Sequence, residues 1–171
     1  ETATLTYTSL SIGSAFAMLG SDYQSQTFST LLSNRENVSS LVGSQNPNAS
    51  LLPSGYYSGY SSSQQEVVLG SFLTAYLNAP VNDRNINPIK NTPLPNWTIN
   101  YNGLTKFPFA RKLVRNFVIR HGYSSTISVN GMQTNLNAEF DQGGNPTSQD
   151  INNNFISGMQ VQNVVITERF S

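Results

Sequence analysis

Few side chains in this sequence have a type and spacing that could do chemistry. Glu139, Asp141 and Asp150 fall in one polar stretch. A pair of carboxylates can act as acid and base, but the dense carboxylates that surround a sugar cleft are missing. Asp141 and Asp150 could ligate calcium, yet the alternating carboxylates of a calcium loop are absent. His121 is the one histidine and there is no cysteine. That removes multi-histidine metal sites, thiol catalysis, cysteine zinc sites and structural disulfides, and it leaves a Ser-His-Asp device improbable. Gly143-Gly144 leads into Asn145-Pro146 and not into a helix, so it is no phosphate loop. The expectation is no catalytic residue, no metal and no cofactor.

One charge feature stands out. No acid occurs between Asp83 and Glu139, whereas Arg84, Lys90, Lys106, Arg111, Lys112, Arg115 and Arg120 all fall there. Lys106, Arg111, Lys112 and Arg115 are interleaved with Phe107, Phe109, Leu113 and Val114. Such a segment suits an anchor at a bilayer interface, with rings among headgroups and cations on lipid phosphates. A solvated turn is the plainer reading, and nucleic-acid binding is the least supported.

The elements that must position these residues follow from composition and period. The chain has 171 residues, enough for one ordinary domain. Nine Lys/Arg balance nine Asp/Glu, and only 11% of residues are charged; 21 Asn, 23 Ser and 14 Thr supply polarity instead. No run is long and apolar enough for a membrane-spanning helix, while a membrane β-strand needs only alternation over about ten residues. The first residues, Glu1-Thr2-Ala3-Thr4, and the last, Arg169-Phe170-Ser171, read as cuts through a longer protein. Two stretches are expected: 1–92, a Ser/Asn-rich strand–loop–helix insert with a proline-rich connector, and 93–171, antiparallel strands.

Within the first stretch, Ala3, Leu5 and Tyr7 alternate with threonines as in a strand. A weak helical pattern over about Thr27–Val42 is interrupted by Asn34, Asn37 and Ser39-Ser40. Pro53–Tyr60 is a loop. The clearest helix spans about 63–78, capped by Ser62 or Ser63, with Val68, Leu69, Phe72, Leu73, Tyr76 and Leu77 on its apolar face. Residues 79–95 read as an extended connector.

After the connector the period changes to two. Trp97, Ile99 and Tyr101 alternate with polar residues. A longer strand follows, with Phe117, Ile119, His121, Tyr123, Ser125, Ile127 and Val129 on one face. Arg120, Gly122, Ser124, Thr126 and Ser128 lie on the other. A bulge or turn is expected near Gly131-Met132, a loop over Asp141–Asn154, and a last strand from about Val161 to Phe170. A strand this long, with one apolar-aromatic face and one small polar face, is what a water-filled barrel needs. On that reading Phe117, Ile119, Tyr123, Ile127 and Val129 face lipid or packed protein, and Arg120, Gly122, Ser124, Thr126 and Ser128 face the lumen. Trp97, Lys106, Phe107, Phe109, Arg111, Lys112 and Arg115 would anchor the interface. The turn Lys106–Arg115 would be periplasmic, and the longer Asp141–Asn154 connection extracellular.

Several of these motifs resemble one family. They are Pro93-Leu94-Pro95-Asn96-Trp97, Tyr101-Asn102-Gly103-Leu104, Phe107-Pro108-Phe109, Arg115-Asn116-Phe117, His121-Gly122-Tyr123-Ser124-Ser125-Thr126 and Thr167-Glu168-Arg169-Phe170-Ser171. Together they are similar to the SprA/Sov family of cell-surface gliding-motility and type IX secretion proteins in the Bacteroidetes outer membrane. The resemblance is close over 93–171 and fainter over Phe72-Leu73-Thr74-Ala75-Tyr76. It implies a mainly β fragment with a helical insert, part of a very large outer-membrane β-barrel that conducts folded cargo proteins. It also implies no enzyme activity, a smaller PorV-type barrel and periplasmic plug or chaperone subunits as partners, outer-membrane lipid around it, and no nucleic acid. The alternative is a soluble β-rich adhesin or binding module in which the same alternation packs sheet on protein.

Overall fold

The computed structural model describes residues 2–10, 25–90, 93–103 and 118–171. Among them the chain is a small α+β unit with a five-stranded antiparallel sheet and two helices. The strands are β1 (Ala3–Thr8), β2 (Trp97–Tyr101), β3 (Ile119–Thr134), β4 (Met159–Gln160) and β5 (Asn163–Phe170). The helices are α1 (Gln26–Gln45) and α2 (Gln65–Tyr76).

β3 is the spine. It is 16 residues long, about 50 Å at a strand's rise. β1 and β2 lie end to end along one of its edges, running in the same direction, paired through Thr8↔Thr126 and Trp97↔Tyr123. β5 and β4 share the other edge, from Tyr123↔Phe170 to Thr134↔Met159. The sheet therefore has three lanes. The chain leaves the first lane after Ser9 and is back on it at Asn96, so both helices are an insertion in what is topologically one strand. β1, in the Ser/Asn-rich first stretch, pairs with β3 in the second.

The gap between β1 and β2 is filled by side chains. The Ser125 N–H donates to the Asn96 amide oxygen at 3.0 Å, and the Ser125 carbonyl accepts from the Ser9 N–H at 3.1 Å. Ser9 and Ser125 also join through their hydroxyls at 2.8 Å. A buried ladder position that falls between two strands on this edge is thereby satisfied.

β3 does not end at Asn130. It passes through a bulge, with Gly131 at φ +66°, and continues to Thr134, with the register slipping between Ala3↔Met132 and Leu5↔Val129. A positive φ is cheap for glycine and strained for other residues. The apolar residues after the bulge do not resume the strand: Leu136 lies in a turn, 91% exposed.

α1 corrects the expectation of an interrupted helix. Its hydroxyls satisfy themselves on preceding carbonyls, as in Thr30 to Gln26 (3.0 Å) and Ser44 to Leu41 (3.1 Å). Buried Ser39 ties the helix to the 51–60 loop, donating to the Tyr60 carbonyl at 2.7 Å and accepting from the Tyr57 N–H at 2.9 Å. Tertiary bonds override weak propensity here. Tyr60 itself is core: its ring sits 5.3 Å from that of Phe155, beside Val67.

α2 also differs in detail. Its cap is Gln64, and not a serine. The Gln64 side-chain oxygen accepts from the N–H groups of Glu66 (2.6 Å) and Val67 (3.1 Å), while its amide donates to the Phe155 carbonyl (3.4 Å) and the Ser157 hydroxyl (3.2 Å). Ser63 is occupied with Ser61 at 3.0 Å. The buried positions are Val67, Gly70, Ser71, Leu73, Thr74 and Ala75, whereas Val68, Leu69, Phe72, Tyr76 and Leu77 are only half-buried. Small residues face the neighbouring layer because α1 comes close there: Asn34 donates to Thr74 at 3.0 Å, and a Cβ on Gly70 would press on Ile86 and Val38. Helix dipeptide spacing finds a wide apolar stripe but not which flank is covered.

The connector is turned and not extended over 82–90, where the Asn82 and Asn87 side chains accept from nearby backbone N–H groups.

Gly43 generates a test. A Cβ there would overlap the root of the Tyr57 side chain, which lies directly against the helix. Alanine favours helix over glycine by about 1 kcal/mol, yet Gly43→Ala should destabilise the protein by about 1–3 kcal/mol through overpacking. Urea unfolding read by circular dichroism measures this; a stabilised variant would remove the close contact.

Candidate functional site

Direct strand partners carry their side chains on the same face. The register thus places Arg120, Gly122, Ser124, Thr126 and Ser128 of β3 together on one face, with Thr6, Thr8, Thr98, Asn100, Thr167, Arg169 and the exposed Val165 from the flanking lanes. Thr6 and Ser128 join through hydroxyls at 3.1 Å, and Asn130 donates to Asn163 at 2.8 Å. Gly122 is the low point of this surface: Asn96, Thr98, Ser124, Arg169 and Ser171 surround a shallow depression there. The face is a mat of small neutral groups, with Arg120 and Arg169 toward one end. It offers neither a nucleophile with a base nor converging donors for a cofactor.

The opposite face carries Ile119, His121, Tyr123, Ser125, Ile127 and Val129. It divides in two. Tyr123, Ile127 and Val129 are fully buried among protein, whereas Ile119 is 44% exposed, beside Ile99 at 54% and Tyr101 at 44%. Three rings cross the lanes at the boundary: Trp97 lies 4.8 Å from Tyr123, which lies 5.1 Å from Phe170. Trp97 also meets His121 edge-on at 6.2 Å. Trp97 is thus half-buried in a stack that joins β2, β3 and β5.

A carboxylate fastens helix to sheet at this point. Glu168 accepts from the Tyr123 hydroxyl at 2.9 Å with one oxygen and from the Tyr76 hydroxyl at 3.0 Å with the other. At the far end of α2, Gln65 donates to the Met159 carbonyl (2.8 Å) and accepts from the Val161 N–H (3.1 Å). α2 therefore lies along β5 over the apolar face. Sequence reasoning missed the role of Glu168. The available signal was an acid at an inward position of an otherwise apolar alternation: Val164, Ile166, Glu168, Phe170.

Asp141 and Asp150 each organise a tight loop. One Asp141 oxygen accepts from the N–H of Gly143 (2.8 Å) and Asn145 (2.9 Å); the other accepts from Asn48 at 2.9 Å. Asp150 likewise accepts from Asn152 (2.8 Å) and Asn154 (2.9 Å). Loop N–H groups thus share Asp141 Oδ1 and Asp150 Oδ1, and the Asn48 amide takes Asp141 Oδ2. The shared pattern Asp-x-x-x-Asn, at 141–145 and 150–154, was legible in the sequence and went unread. Glu139 is exposed, and among the described residues no group of three His, Cys, Asp or Glu could hold a metal.

Lys106, Phe107, Phe109, Arg111, Lys112, Arg115 and Phe117 lie outside the described residues. No model of a known protein family matches this chain, and no curated protein is similar enough to match it.

Two measurements follow from this geometry. Glu168→Ala should cost about 2 kcal/mol by stranding two hydroxyls, and Glu168→Gln less, because one acceptor survives; equal urea midpoints for all three proteins would show that the clasp is idle. The second concerns Asp141, whose carboxyl lies below its ordinary 3.8, chiefly through the Asn145 backbone N–H and side chain, with Asn48 and Gly143 adding. A depressed folded value means the loop is supported above the ordinary carboxyl range and loses that support as pH falls through the folded value. An NMR titration should show the Gly143 and Asn145 amide shifts moving with a midpoint below the ordinary 3.8; a midpoint at or above it contradicts the loop geometry.

Proposed function

We propose that this chain is a stretch of the wall of a very large outer-membrane β-barrel that conducts folded proteins, of the type IX secretion and gliding-motility kind. The observation that carries this is β3. It exceeds by about half the 9–11 residues that cross a bilayer, and it is paired on both edges by lanes whose own outer edges pair with no strand among the described residues. A sheet open on both sides is a piece of a wider one, because unpaired edges are costly in lipid and aggregation-prone in water.

The small neutral face supports the lumenal role of Arg120, Gly122, Ser124, Thr126 and Ser128: such groups give passing cargo neither apolar patches nor dense charge. The covered half of the other face fits a part of the wall that rises clear of the bilayer and carries the helical insert. Its exposed half, with Ile99, Tyr101 and Ile119, fits contact with lipid. Secreted cargo, a smaller PorV-type barrel and periplasmic plug or chaperone subunits are the partners this reading implies.

The complete burial of Tyr123, Ile127 and Val129 favours a second reading, since it closes a core without lipid: a β-rich surface adhesin or binding module. One experiment separates the two. In the native host, cysteines at Ser124, Thr126 and Ser128 should react with a bulky water-soluble maleimide in the outer-membrane fraction, and their adducts should arrest cargo export. Cysteines at Tyr123 and Ile127 should not react. Recovery in a soluble fraction, or export untouched by fully labelled protein, would favour the module.

A further inference from the structure

Asp141 and Asp150 open two loops of one design. Each loop is closed by a pair of facing residues, Phe140 with Pro146 and Gln149 with Phe155. In each, the aspartate N–H donates to the asparagine carbonyl four residues on, at 2.9 Å in the first and 2.8 Å in the second. Each aspartate also gives one oxygen to two loop N–H groups. The other oxygens differ. That of Asp141 accepts from Asn48 at 2.9 Å and Asn145 at 3.1 Å, whereas that of Asp150 meets no donor among the described residues.

Asp150 lines a hollow of about 310 Å³ just past the end of β3. Gln64, Asn154 and Phe155 line it too and are buried, so they form its floor. This floor is fixed by the protein itself: Gln64 caps α2 and donates to the Phe155 carbonyl, and Asn154 accepts from the Ser61 N–H at 3.2 Å. A site set in advance loses little order on binding. Asn135, Asn137 and Gln160 complete the walls. The Asn135 oxygen takes the Asn137 N–H at 3.1 Å. Its NH2 group, and the whole side-chain amides of Asn137 and Gln160, bond to none of the described residues.

The chemistry of these walls selects a ligand. No Lys, Arg or His lines the hollow, so an anion finds no cation there. A metal ion finds a single carboxylate where it needs several charged oxygens. Amides offer a donor beside an acceptor, the carboxylate offers acceptors alone, and a hydroxyl is both at once. A molecule bearing several hydroxyls on one small frame therefore meets all of these groups together. Leu136 and Ile151, almost fully exposed, adjoin Asn137 and Asp150 in the chain and add apolar surface for its C–H groups.

We propose that this hollow binds a neutral sugar ring, with Asp150 accepting from one hydroxyl and the Asn135, Asn137 and Gln160 amides bonding to others. It holds the sugar and does not cleave it, because the second carboxylate that hydrolysis needs is missing from the lining. The site rests on the loops past β3, whether β3 belongs to a barrel wall or to a module, so its failure would not bear on that choice.

Saturation-transfer NMR, read on the sugar, tests this with the 171-residue chain and the methyl glycosides of glucose, galactose, mannose and N-acetylglucosamine. At least one should receive saturation, with a dissociation constant in the millimolar range that suits about a dozen ligand heavy atoms. Asp150→Asn keeps an oxygen for the loop and replaces the other by an NH2 group. It should raise that constant about tenfold with an unchanged circular-dichroism spectrum. Asn137→Ala and Gln160→Ala should each raise it about threefold. Gln142→Ala, in the twin loop outside the hollow, should leave it unchanged. Absence of saturation in all four glycosides well above millimolar concentration would overturn the proposal. So would equal binding by the folded Asp150→Asn and Asn137→Ala variants, or a loss caused by Gln142→Ala.

Discussion

A single strand governs this structure, and its constraint is the backbone hydrogen bond. β3 presents donors and acceptors on both edges for 16 residues, and every shorter element is arranged to meet them. β1 and β2 divide one edge, β5 and β4 the other. Where the division leaves Ser125 between β1 and β2 on that edge, the Asn96 amide and Ser9 take up its backbone groups. A buried, unpaired backbone group costs about as much as any lost core contact, so such positions are seldom left open.

That arrangement explains how a polar insert of two helices is carried without breaking the sheet. The chain leaves the first lane after β1 and rejoins it at β2, a few ångströms further along β3, so the lane continues across the excursion. The insert is then held over the apolar face by polar contacts: the Glu168 carboxylate between two tyrosines, and Gln65 on the Met159–Val161 backbone. Hydroxyls and amides dominate because the composition supplies little else. Ser, Thr and Asn pack well in this interior only because nearly every one finds a partner, as Ser39, Ser71 and Thr74 do.

The proposed function rests on surfaces. The carboxylates that looked most like chemistry, Asp141 and Asp150, each give an oxygen to their own loops. What remains is a small neutral face, an apolar face half covered and half open, and two sheet edges. The proposed wall draws its support from the length and two-sided pairing of β3.

Alternation in the sequence was enough to assign the two faces of β3 and to expect β1, β2 and β5, because side chains of a strand alternate whatever it pairs with. Glycine marked the bulge at Gly131 for a similarly local reason: few other residues tolerate its φ. The helix at 65–76 was legible from its period, but not its cap or its buried flank. Gln64 caps because Phe155 and Ser157 hold its far end, and Gly70 and Thr74 are buried because α1 approaches them; both depend on residues distant in sequence. The unbroken run of α1 and the clasp at Glu168 were decided in the same way. Local period determines which elements form and how they are striped, whereas which stripe is covered, and by what, is set only when the chain brings remote donors and acceptors together.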